Sequence, residues 1–171
     1  WAYRVIRYGV IAAVVSVVMA LSTSSCIADA PPLYTTYHGI RVYGPAYPRI
    51  EVELATHAVM YAAGQAGEAY ASEKKNQFSH CRIEYVDGPF RCAASSTGLC
   101  SGMHWPAHCY MIVSKLGECV AGSATAHEII HMVNWEVERK QIKHTDPVWF
   151  MAPDSVEDKA GTVTAEYCSG R

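Results

Sequence analysis

His127 and His131 stand four residues apart in the run Ala124-Thr125-Ala126-His127-Glu128-Ile129-Ile130-His131-Met132-Val133, with one carboxylate, Glu128, between them. At 3.6 residues per turn, a helix over this run puts both imidazoles on one face, where they can bind the same metal ion. Glu128, about 100° round the helix from His127, is then placed to hold a metal-bound water. The flanking Ala126, Ile129, Ile130, Met132 and Val133 are apolar, as a helix buried beside such a site requires. Thr125-x-x-Glu128 carries a competing reading, a capping box that leaves both histidines as packed core residues. A third ligand separates the two.

The helical pattern continues from Trp135 through Ile142 and is followed by His144-Thr145-Asp146-Pro147-Val148-Trp149. Twelve residues lie between His131 and His144, enough for the chain to end the helix, turn and return an imidazole to the metal. Three protein ligands leave a tetrahedral zinc one open position for water, the arrangement that hydrolysis needs. Glu157 and Asp146 rank behind His144 as third ligand. Asp146-Pro147 reads more simply as the N-cap and first turn of a following helix.

His127-Glu128-Ile129-Ile130-His131, followed by His144-Thr145-x-x-Val148-Trp149, resembles the zinc site of SprT-like peptidases and related minimal zincins. In those families the third histidine precedes a helix with an aromatic residue four or five positions on, where Trp149 stands here. The resemblance covers about residues 124–150. It implies an α+β, zincin-like fold: a supporting helix, a small mixed sheet, the HExxH helix and a third-ligand segment. It also implies Zn2+ on His127, His131 and His144, with Glu128 as general base in peptide-bond hydrolysis. In a zinc peptidase the strand beside the active-site helix lies at the sheet edge and accepts substrate as an added strand. The metzincin pattern is not met, since Asn134 and Val137 stand where it requires Gly and His. SprT-like proteins are intracellular and some act on DNA-bound protein. This chain carries an export-like leader and several cysteines, so the resemblance extends to the metal site and the fold alone.

The elements that must position these residues read as follows. A length of 171 residues with 50% hydrophobic and 18% charged content suits one domain. A net charge of −2 without any basic run argues against nucleic acid as a partner, leaving a peptide or protein substrate. Residues 1–30 read as an export signal, with Arg4 and Arg7 ahead of the apolar stretch Gly9 to Leu21. Processing before Cys26 would give a lipid-anchored envelope protein; processing after Ala28-Asp29-Ala30 would give a secreted one. Setting Cys26 aside leaves Cys81, Cys92, Cys100, Cys109, Cys119 and Cys168, an even number in an exported chain, hence three expected disulfides of open pairing.

Residues 31–48, rich in Pro, Tyr and Gly, read as an extended arm with the domain beginning at 49. Helical spacing of Ile50, Leu54, Ala58 and Tyr61 predicts a helix over Arg49 to Ala63 stopped by Gly64, with His57 structural. Arg82 to Val86 alternates like a half-buried strand, and Asp87-Gly88 predicts a hairpin toward Phe90. Tyr110 to Val113 reads as a further strand leading to the HExxH helix. Cys100, His104, His108 and Cys109 could form a second metal site or a Cys/His pair, but Pro106 breaks their alignment and half-cystine is the simpler fate. Tyr167 and His104 are candidates for stabilising an oxyanion. No Gly-x-Ser-x-Gly elbow or phosphate-binding glycine loop competes with the metal reading. The alternative function is a non-catalytic, disulfide-rich envelope binding domain.

Overall fold

A computed structural model describes residues 30–45, 49–70, 74–93, 95–114 and 124–169, and its elements all lie within the unit Pro32–Arg171. The export segment, Cys26 and Cys119 lie outside the described residues, as do the side chains of 49–51 and 167–169.

The strands are β1 (Tyr34–Thr35), β2 (Arg41–Tyr43), β3 (Arg82–Val86), β4 (Phe90–Arg91), β5 (Leu99–Cys100), β6 (Gly102–Trp105) and β7 (Tyr110–Ser114). Five of them form one mixed sheet in the order β1-β2-β3-β7-β6, and β4 pairs with β5 in a separate ladder. The central three run parallel, while β1 and β6 are antiparallel to their neighbours. Register aligns Val42 with Ile83 and Ile83 with Met111, and sets Tyr85 opposite Val113; all five are buried. Because side chains alternate across a sheet, the other face carries Arg82, Glu84 and Tyr110. There the Arg82 guanidinium sits 4.3 Å from the Tyr110 ring centre, and the Tyr110 hydroxyl donates to Glu84 at 2.6 Å.

Helices α1 (Arg49–Ala66), α2 (Ala124–Glu138) and α3 (Val156–Ser169) pack on one another, and α2 also packs on β6 and β7. The α+β architecture, with a small mixed sheet, a helix packed against the HExxH helix and disulfide staples, is therefore present.

Several local expectations are corrected. Residues 31–48 are not all tether: β1 and β2 belong to the sheet, with Ile40 and Val42 fully buried. Pro and Gly around these strands hid two short segments, of which β2 pairs with the edge of β3 and β1 with β2. α1 runs through Gly64 to Ala66, and its buried stripe is Val52, Ala55, Val59 and Ala63, with Tyr61 73% exposed. One glycine costs a helix only ~1 kcal/mol, which packing on two helices offsets. The Asp87-Gly88 turn does not fold Phe90 back on β3; Phe90 pairs with Cys100. Both edges of β3 are already taken by β2 and β7, so no position remains for a hairpin partner. For the same reason Tyr110 to Val113 is an interior strand, and the sheet edge nearest α2 is β6.

Beyond the site helix, α2 ends at Glu138 rather than Ile142. Arg139 turns left-handed (φ 54°) while its N–H still donates to Trp135 O. Asp146 caps a turn, its Oδ1 accepting the Val148 N–H at 3.1 Å, but no helix follows directly. Met151 and Asp154 adopt positive φ, and α3 starts only at Val156, with Ser155 Oγ accepting the Asp158 N–H.

Two disulfides are seen among the described residues, Cys81–Cys109 and Cys92–Cys100. The first ties together the starts of β3 and β7, the second closes the β4–β5 ladder. Loop-closure entropy favours the longer bridge, whose separation is 28 residues against 8. Replacing Cys81 and Cys109 together by Ala should therefore lower the unfolding free energy by about 3–4 kcal/mol in a urea titration. Replacing Cys92 and Cys100 should cost about 2–3 kcal/mol. Equal losses, or a larger one for the short loop, would contradict this account.

Candidate metal centre

α2 buries Ala126, Ile129, Ile130, Met132 and Val133 in the core and turns His127 and His131 to its other, partly exposed side. The four-residue spacing thus delivers both imidazoles to one place, their ring centres 5.0 Å apart. His144 arrives from the loop after α2, which Ile142, Trp149 and Phe150 anchor in the core. Its Nε2 lies 3.0 Å from His127 Nε2 and 2.9 Å from His131 Nε2. Phe150, 1% exposed, supplies the wall behind all three rings, with centroid separations of 4.8, 5.0 and 5.1 Å.

Protonation follows from these surroundings. Burial, reinforced by the neighbouring histidines, pushes the His131 pKa down to about 3, and burial with His127 also lowers that of His144. Both rings are neutral at neutral pH and present lone pairs. His127 Nδ1–H donates to Glu157 Oε1 at 2.7 Å, which leaves its Nε2 as the bare nitrogen facing the other two. That bond to His127, first among several causes, holds the Glu157 carboxyl below the usual carboxylate range. Three imidazole donors, one of them oriented by a carboxylate, fit zinc better than calcium or magnesium.

Glu157 is therefore not among the converging donors; it orients one of them from the first turn of α3. Asp146 is engaged in its turn. The capping box is not formed. Thr125 is the second residue of α2 with its hydroxyl 2.8 Å from that of Tyr85, and the Glu128 carboxylate packs on β6. A Cβ built on Gly102 would stand only 2.5 Å from Glu128 Oε1, so the glycine leaves the space that the carboxylate occupies. Burial pushes the Glu128 pKa up to about 7.

Register continues the core-facing row onto the edge strand, Gly102 opposite Val113 and His104 opposite Met111. Both edge residues consequently face α2. Burial pushes the His104 pKa down to about 4, and its Nε2 has no hydrogen-bond partner among the described residues. A cleft of about 750 Å³ opens between β6 and the loop at 141–145, lined by His104, Glu128, His131, Trp135 and His144 among others.

Cys100 and Cys109 are both half-cystines and do not join His104 and His108 in a metal site. His80 and Glu136, 2.8 Å apart, lie beside the Cys81–Cys109 bridge, whose sulfurs are committed to each other. Tyr167 has its side chain outside the described residues. Trp149, which carried the aromatic position of the resemblance, faces Tyr70 edge-on at 5.1 Å instead of the imidazoles. Tyr70 in turn donates to Asn134 of α2 at 2.8 Å. Phe150, Gly102 and the orienting role of Glu157 had no local signal in the sequence.

Comparison of the chain with protein-family models, curated proteins and solved structures returned no match.

Two outcomes are expected. Glu157→Gln should weaken metal binding by roughly 10- to 100-fold, measured by competition with a chromophoric chelator, because His127 loses its carboxylate partner. Unchanged affinity would remove Glu157 from the site. In metal-free protein the folded pKa of Glu128, about 7, exceeds its ordinary 4.5, so the folded state holds the extra proton between those values. Stability from this group accordingly falls as pH rises from about 4.5 to about 7. Glu128→Gln should raise the metal-free thermal midpoint above pH 7, with the gain shrinking toward pH 4.5. A gain independent of pH would contradict the burial argument.

Proposed function

We propose that this chain is an exported, zinc-dependent peptidase of the zincin type, with His127, His131 and His144 as metal ligands and Glu128 as general base. The observation that carries the reading is the convergence of three Nε2 atoms, 2.9–3.0 Å from one another through His144, beside a buried carboxylate. A zinc ion on these nitrogens would supply a bound water of pKa near ~7 and polarise a substrate carbonyl. Glu128, buried one residue along the helix from His127 and lining the same cleft, is the carboxylate that would take a proton from the attacking water and pass it to the leaving amine.

The edge strand suits an extended peptide. Ser114 N–H donates to Ser101 O, so by antiparallel alternation Met103 and Trp105 turn their backbone groups to β7, while Gly102 and His104 turn theirs outward. A peptide pairing there as an added strand lies over the cleft that Glu128 and His131 line. The His104 ring, neutral and on the same side as α2, lines that cleft beside Glu128 and His131. Two disulfides suit an oxidising compartment, in keeping with export directed by residues 1–30 and with either a lipid on Cys26 or secretion. No helix among the described residues is long and apolar enough to cross a membrane.

The test is cleavage of a denatured protein by zinc-loaded enzyme. Glu128→Gln should retain the metal and lose at least ~100-fold in kcat/KM. Gly102→Ala, which displaces the Glu128 carboxylate, should lose on the order of 100-fold with little change in thermal midpoint. Full activity in Glu128→Gln would remove Glu128 as general base, and absence of cleavage by the zinc-loaded wild type would leave the non-catalytic binding domain as the better reading.

A further inference from the structure

His38, Glu53 and His57 come from two segments that the sequence keeps apart. His38 lies in the turn between β1 and β2, whereas Glu53 and His57 are four residues apart on α1 and so share a helix face. One donor atom from each falls within 4.8 Å of the others. The two imidazole centroids are 4.8 Å apart at an interplanar angle of 64°, close to the 4.9–5.0 Å spacing within the His127, His131 and His144 triad.

The cluster is preorganised by backbone. Tyr37 N–H donates to both Glu53 carboxylate oxygens, at 2.8 and 3.1 Å, which fixes the carboxylate toward the turn. His38 O accepts the Phe78 N–H at 2.8 Å, and the Ile40 N–H donates to Thr36 Oγ1 at 3.0 Å. Gly39 has φ +91°, and a Cβ there would meet the Ser79 backbone at 2.9 Å, so the turn is pressed against the chain at 76–79. His38 is fully buried, while Glu53 is half-buried and His57 is exposed, which leaves the cluster accessible from one side.

We propose that His38, Glu53 and His57 form a second metal site that takes a divalent transition-metal ion of the zinc class and clamps the β1–β2 turn to α1. Two imidazoles and one carboxylate make a three-ligand zinc set with a position left for water or a fourth donor. Imidazole donors favour such an ion over magnesium or calcium. Ligand bonds of about 2.0–2.2 Å bring tetrahedral donors to about 3.4 Å from one another. The half-exposed Glu53 and the exposed His57 side chains can make that closure while His38 stays in place. This site shares no residue with the proposed active centre and does not depend on that reading.

Equilibrium dialysis of the metal-stripped full chain against Zn2+ tests it. Wild type should bind about two equivalents per chain, and His131→Ala about one. Adding His57→Ala to His131→Ala should remove the remaining equivalent, as should adding Glu53→Gln, which keeps an acceptor for the Tyr37 N–H. Co2+ loading of the His131→Ala protein should give ligand-field absorption bands that both second replacements abolish. Absence of binding in His131→Ala, or binding that survives both second replacements, overturns the proposal. Equal binding by wild type and His131→Ala, lost with His57→Ala, would instead uphold this site and remove the triad.

Discussion

Three imidazole nitrogens crowded within about 3 Å of a common point form an arrangement that hydrogen bonding alone satisfies poorly. His144 Nε2 contacts His127 Nε2 and His131 Nε2 together, yet a neutral ring has one proton and can donate it to only one of them. The remaining contact sets like against like. A cation at the centre would turn all three lone pairs into attractive interactions, and the surroundings of the rings suit such an occupant. Phe150 walls off the rings, burial keeps His131 neutral, and the Glu157 carboxylate holds the proton of His127 on the far nitrogen.

The loop after α2 is anchored in the core despite lacking regular structure. Trp149 and Phe150 are 7% and 1% exposed and both donate their backbone N–H to Asp146 O, while the Asp146 N–H donates to Lys143 O at 2.9 Å and closes the turn that holds His144. Trp149 braces α2 through Tyr70 and Asn134, so the segment bearing the third histidine and the helix bearing the first two are coupled by packing as well as by any shared ion. α3 closes the arrangement by bringing Glu157 to His127 from its first turn. At the sheet, Gly102 fulfils the complementary need. Its missing side chain lets the Glu128 carboxylate lie against the edge strand, where it would meet a peptide adding to β6.

The longer disulfide bears on the sheet. Cys81–Cys109 joins the residues immediately before two parallel neighbours whose pairing closes a long loop, and such non-local pairs carry the greatest ordering cost. The covalent tie therefore secures the strand register that carries His104 and Gly102 to α2 through β6.

Much of the centre was legible in the chain because helix periodicity is a local rule. His127, Glu128 and His131 share a helix whatever the rest of the fold does, and an imidazole thirteen residues past His131 has the reach to return. Period-two alternation likewise revealed β3, and cysteine parity in an export-like chain anticipated half-cystines at 81, 92, 100 and 109. The tertiary structure alone decided which strand forms the sheet edge, since that depends on the neighbours that occupy both sides of β3 and β7. It also drew β1 and β2 out of a Pro-rich stretch, made Glu157 an orienting partner and put Phe150 rather than Trp149 behind the imidazoles. Each of these is set by side chains far apart in sequence competing for the same few ångströms, and no local spacing rule encodes the outcome of that competition.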